Sequence, residues 1–340
     1  MSAKARLDVI FIQTPVPEAP SIEFRDFGGS SKIHCLLLPP QPQKRTQTLI
    51  TDLKEARTVS VEHLALKGIP LTTYRSYEKM ALYYDWIYRD IVDYEAQTTH
   101  LQSILETHSK RKVESILDVA CGTGNYSFVL AKLGYQVTGV DNSSEMISKA
   151  LEKKTEDSNP KFFAMDMRQM RLNGKYDAAL VLFGGFGYLV TESAIRKFLR
   201  SVKKHVATGG LLIYEFWQSS AIRKEAMKPE GYRTWDRIED KRKGLVLIRL
   251  ATSKYDKMTR IDRIAFDFYV LNIKGHAVED MFSETHEMMT HSIYGMKSLL
   301  KENGYTRLAF YTADVDRALR PAESSDFRVL AVSTLARPYQ

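Results

Sequence analysis

Cysteine is almost absent from this chain: Cys35 and Cys121 are the only two in 340 residues. A disulfide framework needs several cysteines at short spacings, so a stapled scaffold is excluded and a reducing cytoplasm is the expected setting. Long apolar runs are missing too. No stretch reaches the ~18 apolar residues that cross a bilayer, so neither a transmembrane helix nor a membrane partner is expected. The first six residues lead into one short apolar-rich run, Leu7–Ile12, broken by Asp8, which makes a poor signal peptide. Charge of one sign is not concentrated. The net charge of +8 is diffuse, and its densest run, Arg237 to Lys243, contains Glu239 and Asp240. A solvated hairpin tip accounts for that run at least as well as a nucleic-acid patch does. No metal-ligand set is assigned.

Proline is scarce after residue 70. Pro15, Pro17, Pro20, Pro39, Pro40, Pro42 and Pro70 are seven of the eleven. Residues 1–70 therefore read as an N-terminal extension, a small β-rich unit in which short apolar segments (Leu7–Ile12, Ile22–Phe27, Ile33–Leu38) bounded by breakers read as strands, with Gly28-Gly29-Ser30-Ser31 able to turn a hairpin. The remainder, 71–340, reads as the main domain. Tyr74 to Leu105 has helical periodicity with dense aromatic residues. From 113 to 216 strand and helix alternate, with strands at 115–120, 136–140, 161–164, 177–183 and 211–216 and helices near 125–133, 144–154 and 191–206. Gly134 and Gly209-Gly210 read as helix stops. This alternation implies an α/β fold, a Rossmann-like parallel sheet with helices on both faces. After 217 the pattern becomes alternating apolar and polar residues at 244–254, 260–273 and 278–291, an antiparallel insertion. A helix at 294–302 and strands at 305–311 and 327–334 close the chain.

The most informative run is Ile116-Leu117-Asp118-Val119-Ala120-Cys121-Gly122-Thr123-Gly124-Asn125: a buried strand, a glycine turn and a helix start. Glycines let a ligand approach the backbone. The next strand ends in Asp141, which can accept both hydroxyls of a ribose. The dinucleotide fingerprint G-x-G-x-x-G fails, because Ser127 holds its third glycine position. Asp118 would also repel a pyrophosphate. A phosphate-free nucleoside with a positive centre suits this acidic turn better, and S-adenosylmethionine (SAM) has both properties.

D-V-A-C-G-T-G, followed by an acid after the next strand, resembles the first motif and its partner in the class I SAM-dependent methyltransferases. Four more matches resemble their amino-sugar N,N-dimethyltransferase and glycine N-methyltransferase-like branch: Tyr77 to Tyr88 (Y-x-x-x-A-x-x-Y-D-x-x-Y), Asp166-Met167-Arg168, Phe183 to Leu189, and Glu215-Phe216-Trp217. Glu284-Thr285-His286 resembles an E-x-H on that group's substrate cap. The resemblance runs from about Tyr77 to the C-terminus. It departs at Phe216, where the branch has proline, and at Gly184 and Gly185, where it has serines.

The resemblance implies a seven-stranded sheet with the 244–291 insertion over the active site, and SAM as cofactor. Cofactor-binding residues would be Asp118, Ala120, Gly122, Thr123, Gly124, Asp141, Asn142, Met146, Asp166, Met167, Leu182 and Phe183. Tyr188, Glu215 and His286 would be catalytic, and Tyr77, Tyr84, Trp217 and Glu284 would bind substrate. The expected reaction is N-methylation of a small-molecule amine, an amino sugar among the candidates. RNA or protein methylation is the alternative, and a non-catalytic SAM-binding module is the least favoured. Nucleic acid is the less favoured partner, and a homodimer stays open. Adenine N6 enzymes carry N-P-P-Y after the fourth strand, where this chain has Gly184-Gly185-Phe186-Gly187. Cytosine C5 enzymes need a nucleophilic cysteine, for which neither Cys35 nor Cys121 is placed.

Overall fold

The computed structural model describes residues 72–155, 159–272, 277–313 and 319–336, with the backbone of three earlier strands. Those strands, β1 (Ile22–Asp26), β2 (Ile33–Leu37) and β3 (Arg57–Ser60), form an antiparallel sheet in the order β2-β1-β3. Leu7–Ile12 and the Gly28–Ser31 turn lie outside the described residues.

The main sheet follows from its strand sequences. In β5 (Ser115–Val119), Ile116, Leu117 and Val119 are fully buried, as are Ala178 to Val181 of β8 (Tyr176–Val181). Near-continuous apolar runs are what a parallel strand covered on both faces requires. The remaining strands are β6 (Gln136–Asp141), β7 (Lys161–Ala164), β9 (Val206–Trp217), β14 (Tyr305–Thr312) and β15 (Arg328–Leu335). The seven run in the order β14-β15-β9-β8-β5-β6-β7, with β15 antiparallel to both neighbours. Alternate residues serve opposite faces. Leu117, Val119, Ala179, Val181 and Leu212 pack on one side with Phe198 and Leu299, while Ile116, Ala178, Leu180 and Ile213 pack on the other with Ile104 and Leu130. The strand order reverses between β5 and β8, and a ligand crevice opens at the carboxyl ends there.

Among the described residues six helices surround these sheets: α1 (Tyr84–Tyr88), α2 (Tyr94–His108), α3 (Asn125–Lys132), α4 (Ser144–Glu152), α5 (Glu192–His205) and α6 (Ile293–Glu302). Asp93, Ser143, Thr191 and Ser292 cap α2, α4, α5 and α6, each side-chain oxygen accepting an N–H of the first turn. Among the described residues no helix is long and apolar enough to cross a membrane.

Two expectations need correction. The helix read over 74–105 is interrupted: Tyr77 adopts φ 64°, a 3-10 turn holds Met80–Leu82, and Asp93 starts α2 afresh. Aromatic density there reflects packing against a second sheet rather than one continuous helix face. Gly209-Gly210 lie inside β9 and do not end α5, because Val206 is already extended.

That second sheet has the order β10-β11-β12-β13-β4. The three strands read from sequence are β11 (Leu245–Asp256), β12 (Ile261–Asn272) and β13 (Ala277–Met289). Two more join them: β10 (Tyr232–Asp240), masked by its charges, and β4 (Thr72–Tyr74), which is parallel to β13 and too short to show a period. Lys241, Arg242 and Lys243 occupy the β10–β11 turn.

Gly139 of β6 has no room for a side chain: a Cβ there would lie 2.7 Å from the Phe162 ring and 2.9 Å from Cys121 Sγ. Gly139→Ala should lower unfolding free energy by about 1–3 kcal/mol in urea titrations through overpacking. Gly174, at φ 88°, faces open space, so Gly174→Ala should cost only about 1 kcal/mol through backbone strain. Equal losses would show that packing at Gly139 does not set its cost.

Candidate cofactor and acceptor site

The crevice is a cleft of about 400 Å³. Its floor is the turn after β5. Ala120 and Gly122 both sit at φ 55°, and nothing lies within 4 Å of where a Gly122 Cβ would be. A ligand can therefore rest on that backbone. Gly124, at φ 80°, faces the Phe162 ring, 2.6 Å from its would-be Cβ, and does not line the cleft. Its glycine requirement is one of packing.

Two acids organise the floor. Asp141 accepts the Gly122 N–H at 2.8 Å and the Ser143 N–H at 2.9 Å, tying the glycine turn to the start of α4. Burial raises its pKa, and these amide donors oppose the rise. Asp118 is 1% exposed and accepts the Ser127 hydroxyl at 2.6 Å. Burial pushes its carboxyl up to about 7, with Ser127 opposing and Asp141 adding to the shift. Asp166 lines the same cleft, but Arg168 of its own D-M-R holds it at 2.5 to 2.9 Å and keeps its pKa low. Ala120, Thr123, Asn142, Met146, Met167, Leu182 and Phe183 also line the cleft.

The roof comes from residues 75–84. Glu284, fully buried on β13, accepts the backbone N–H groups of Tyr77 (2.7 Å), Lys79 (2.9 Å) and Met80 (2.7 Å). It is thus the anchor of the roof and not exposed to a substrate. Its Oε2 also lies 3.2 Å from His286 Nε2. His286 Nδ1 is 2.6 Å from the Tyr188 hydroxyl, which is 2.8 Å from the Tyr77 hydroxyl. Tyr77, Tyr84 and Tyr188 line the cleft, whereas His286 stands behind them, 4.9 Å from the Tyr77 ring. Tyr188 donates to the Tyr77 hydroxyl, and its oxygen accepts from His286 Nδ1–H; rotation of both hydroxyls, with His286 keeping only its Nε2–H on Glu284, reverses the chain so that Nδ1 accepts from Tyr188. Burial raises the pKa of both phenols, so they serve as protonated hydrogen-bond relays.

A further acid went unassigned in the sequence. Asp85, on α1, accepts from Thr123 Oγ1 (2.5 Å), Asn125 Nδ2 (3.0 Å) and Lys153 Nζ (2.8 Å). It fastens the roof to the glycine turn. The Y-D-x-x-Y pattern around it was the available signal. Arg75, Ser76, Glu78, Ser143 and Glu145 also line the cleft; the first four lie in turns that carry no periodicity, and Glu145 is in the first turn of α4.

Glu215 and Trp217 are not brought to the cleft. Arg328 engages Glu215 through two hydrogen bonds of 2.9 and 2.7 Å, so its charge is neutralised within the β9–β15 pair. Glu215 faces a separate small recess with Gln97, Tyr126 and Leu330. Trp217 packs on Phe327, ring centroids 4.9 Å apart.

The cleft lining is rich in acids and open backbone, and its two arginines are engaged by carboxylates, Arg168 by Asp166 and Arg75 by Glu78. It fits a cationic, phosphate-free nucleoside. Sheet order and cleft together define a class I methyltransferase. The Methyltransferase domain family matches residues 116–210. The putative methyltransferase YqeM of Bacillus subtilis is 31% identical over 200 residues, 58% of this chain and 76% of that protein. A dTDP-3-amino-3,4,6-trideoxy-alpha-D-glucopyranose N,N-dimethyltransferase of Streptomyces venezuelae is 30% identical over 125 residues, 37% of this chain and 51% of that one. SAM-bound CalS10, an amino pentose methyltransferase from Micromonospora echinaspora, shares the fold with a TM-score of 0.60 at 20% identity, covering 74% of this chain and 96% of that one. The chain belongs to the SAM-dependent methyltransferases, and SAM is its cofactor.

Two outcomes follow from the site's charges. Because the folded pKa of Asp118 is raised from 3.8 to about 7, its contribution to stability is full below pH ~4 and is lost as pH rises to about 7. Affinity for cationic SAM should move oppositely, tightening as Asp118 ionises. Calorimetry between about pH 5 and 8 should show a steeper rise for the wild type than for Asp118→Asn; parallel curves would remove Asp118 from that role. Glu215→Ala should cost about 1–3 kcal/mol of stability by removing the buried carboxylate that takes two hydrogen bonds from Arg328, with SAM affinity unchanged. A large loss of affinity in the folded variant would bring Glu215 into the binding site.

Proposed function

We propose that the chain N-methylates a small-molecule amine, with an amino sugar as the acceptor class. The observation that carries this reading is the hydrogen-bonded chain Tyr77–Tyr188–His286–Glu284, which runs from the cleft into the second sheet. SAM supplies an electrophilic methyl on a sulfonium, and its loss leaves a neutral thioether that needs no acid. Asp118, Asp141 and the Gly122 backbone hold the nucleoside and its amino-acid part. Tyr77, Tyr84 and Tyr188 enclose the acceptor, orient its lone pair and exclude water. His286 takes the proton that the methylated amine releases, through the Tyr188 hydroxyl. The amino-sugar N,N-dimethyltransferase relative supports the acceptor class. The same reading makes 244–291 the acceptor cover and 1–70 an appended unit.

Incubation with methyl-labelled SAM and parallel panels of amino sugars, small amines, tRNA and protein tests the acceptor. Label should appear in an amine product. Tyr188→Phe and His286→Asn should each lower kcat by about a hundredfold, the lower end for general acid–base groups, with SAM affinity kept. Label in tRNA or protein with none in any amine would overturn the reading.

A further inference from the structure

The diffuse net charge conceals one concentrated face. Beside the Asp166–Arg168 wall of the cleft, the 3-10 turn Met167–Gln169 and the residues after it pack on α5, leaving a groove of about 280 Å³. Its rim is Arg168, Arg171, Lys197, Arg200 and Lys204, all exposed. Only Arg168 has a carboxylate partner, Asp166; among the described residues no ion pair joins the other four to an acid. The groove floor is closed by buried Met170 and Ser201, joined through the Met170 N–H to Ser201 Oγ at 3.1 Å.

Helix stability does not account for this arrangement. Cations in the last turn of α5, Lys203 and Lys204, complement the helix dipole. Lys197 and Arg200 lie earlier in α5, and Arg171 faces them from another segment. Lys197, Arg200 and Lys204 fall at i, i+3 and i+7, where like charges share one face and repel. The Arg237–Lys243 region differs: Arg237 pairs with Glu239, and the backbone N–H groups of Arg242 and Lys243 donate to Asp240, which sets a carboxylate among the cations of that turn. The groove also lacks the exposed aromatic or aliphatic anchor that a protein interface centres on.

We propose that this groove docks the phosphodiester backbone of a nucleic acid, beside the cleft and independently of the acceptor that is methylated. Four unpaired cations match about three or four phosphates of a single strand. For single strands the slope of log affinity against log salt is about −0.7 per neutralised phosphate, so a slope near −2 to −3 is expected. Arg168, which lines both cleft and groove, marks where the two surfaces meet.

The test uses the full chain and a fluorescent 20-nucleotide single-stranded RNA, read by anisotropy from about 50 to 300 mM salt. The triple variant Arg171→Glu/Lys197→Glu/Arg200→Glu should lose at least tenfold in affinity at 50 mM salt, and most of the salt slope. Arg237→Glu/Arg242→Glu, at the hairpin, should change affinity less than twofold. SAM affinity, unchanged in both, reports folding of the variants. Absence of RNA binding by the wild type, or equal loss in the hairpin variant, would overturn the proposal. So would displacement of RNA by polyglutamate at equal charge concentration, which would make the groove a receptor for acidic protein.

Discussion

One buried carboxylate holds the two halves of this site together. Glu284 is fully buried and would be costly if unpaired; three backbone N–H groups and His286 satisfy it. The donors come from the roof segment and the acceptor from the second sheet. Removing the carboxylate strands three buried amides at once and releases the left-handed Tyr77 that they hold. The phenol relay, the cleft wall and the seating of α1 all inherit their positions from that contact.

Around the cleft, charge is arranged by sign. Asp118, Asp141 and Asp85 ring the glycine turn, with Lys153 compensating only Asp85. A field of that sign favours a sulfonium and an ammonium and disfavours phosphate. The cleft's own arginines, Arg75 and Arg168, are held by Glu78 and Asp166, and the cations without a carboxylate partner cluster outside, on α5 and the turn beside it. The molecule thus separates the place where a cation is held from the surface where an anion is attracted, a few side chains apart.

Much of this was readable in the sequence where a local rule determined the outcome. Buried parallel strands announce themselves as apolar runs, so β5 to β9 and the crevice at their ends were legible. The glycine turn and Asp141 were legible because their chemistry is set within one strand–turn–helix unit. Failures had physical causes. β10 alternates as a strand should, but its charges read as a solvated tip. Glu215 looked available because its partner, Arg328, lies on a neighbouring strand far along the chain. Glu284 looked like a substrate ligand for the same reason: backbone amides leave no trace in sequence. The break in the aromatic helix depended on packing against a sheet not yet in view.

The span of the Glu284 contact also bears on how the molecule is made. Tyr77 and Glu284 are 207 positions apart. During synthesis from the N-terminus, the roof residues emerge early and wait while β5 to β9 are produced. The floor of the cleft draws on residues between 118 and 189 and has its strands in place well before β13 appears. Closing so long a loop is slow and entropically costly. Floor and roof therefore mature at different times, and the aromatic segment 74–88 is without its covering sheet in the interval. In that interval Met80 and Ile87 lack the Phe268 and Phe282 side chains that cover them in the finished molecule, which leaves apolar surface open to neighbouring chains.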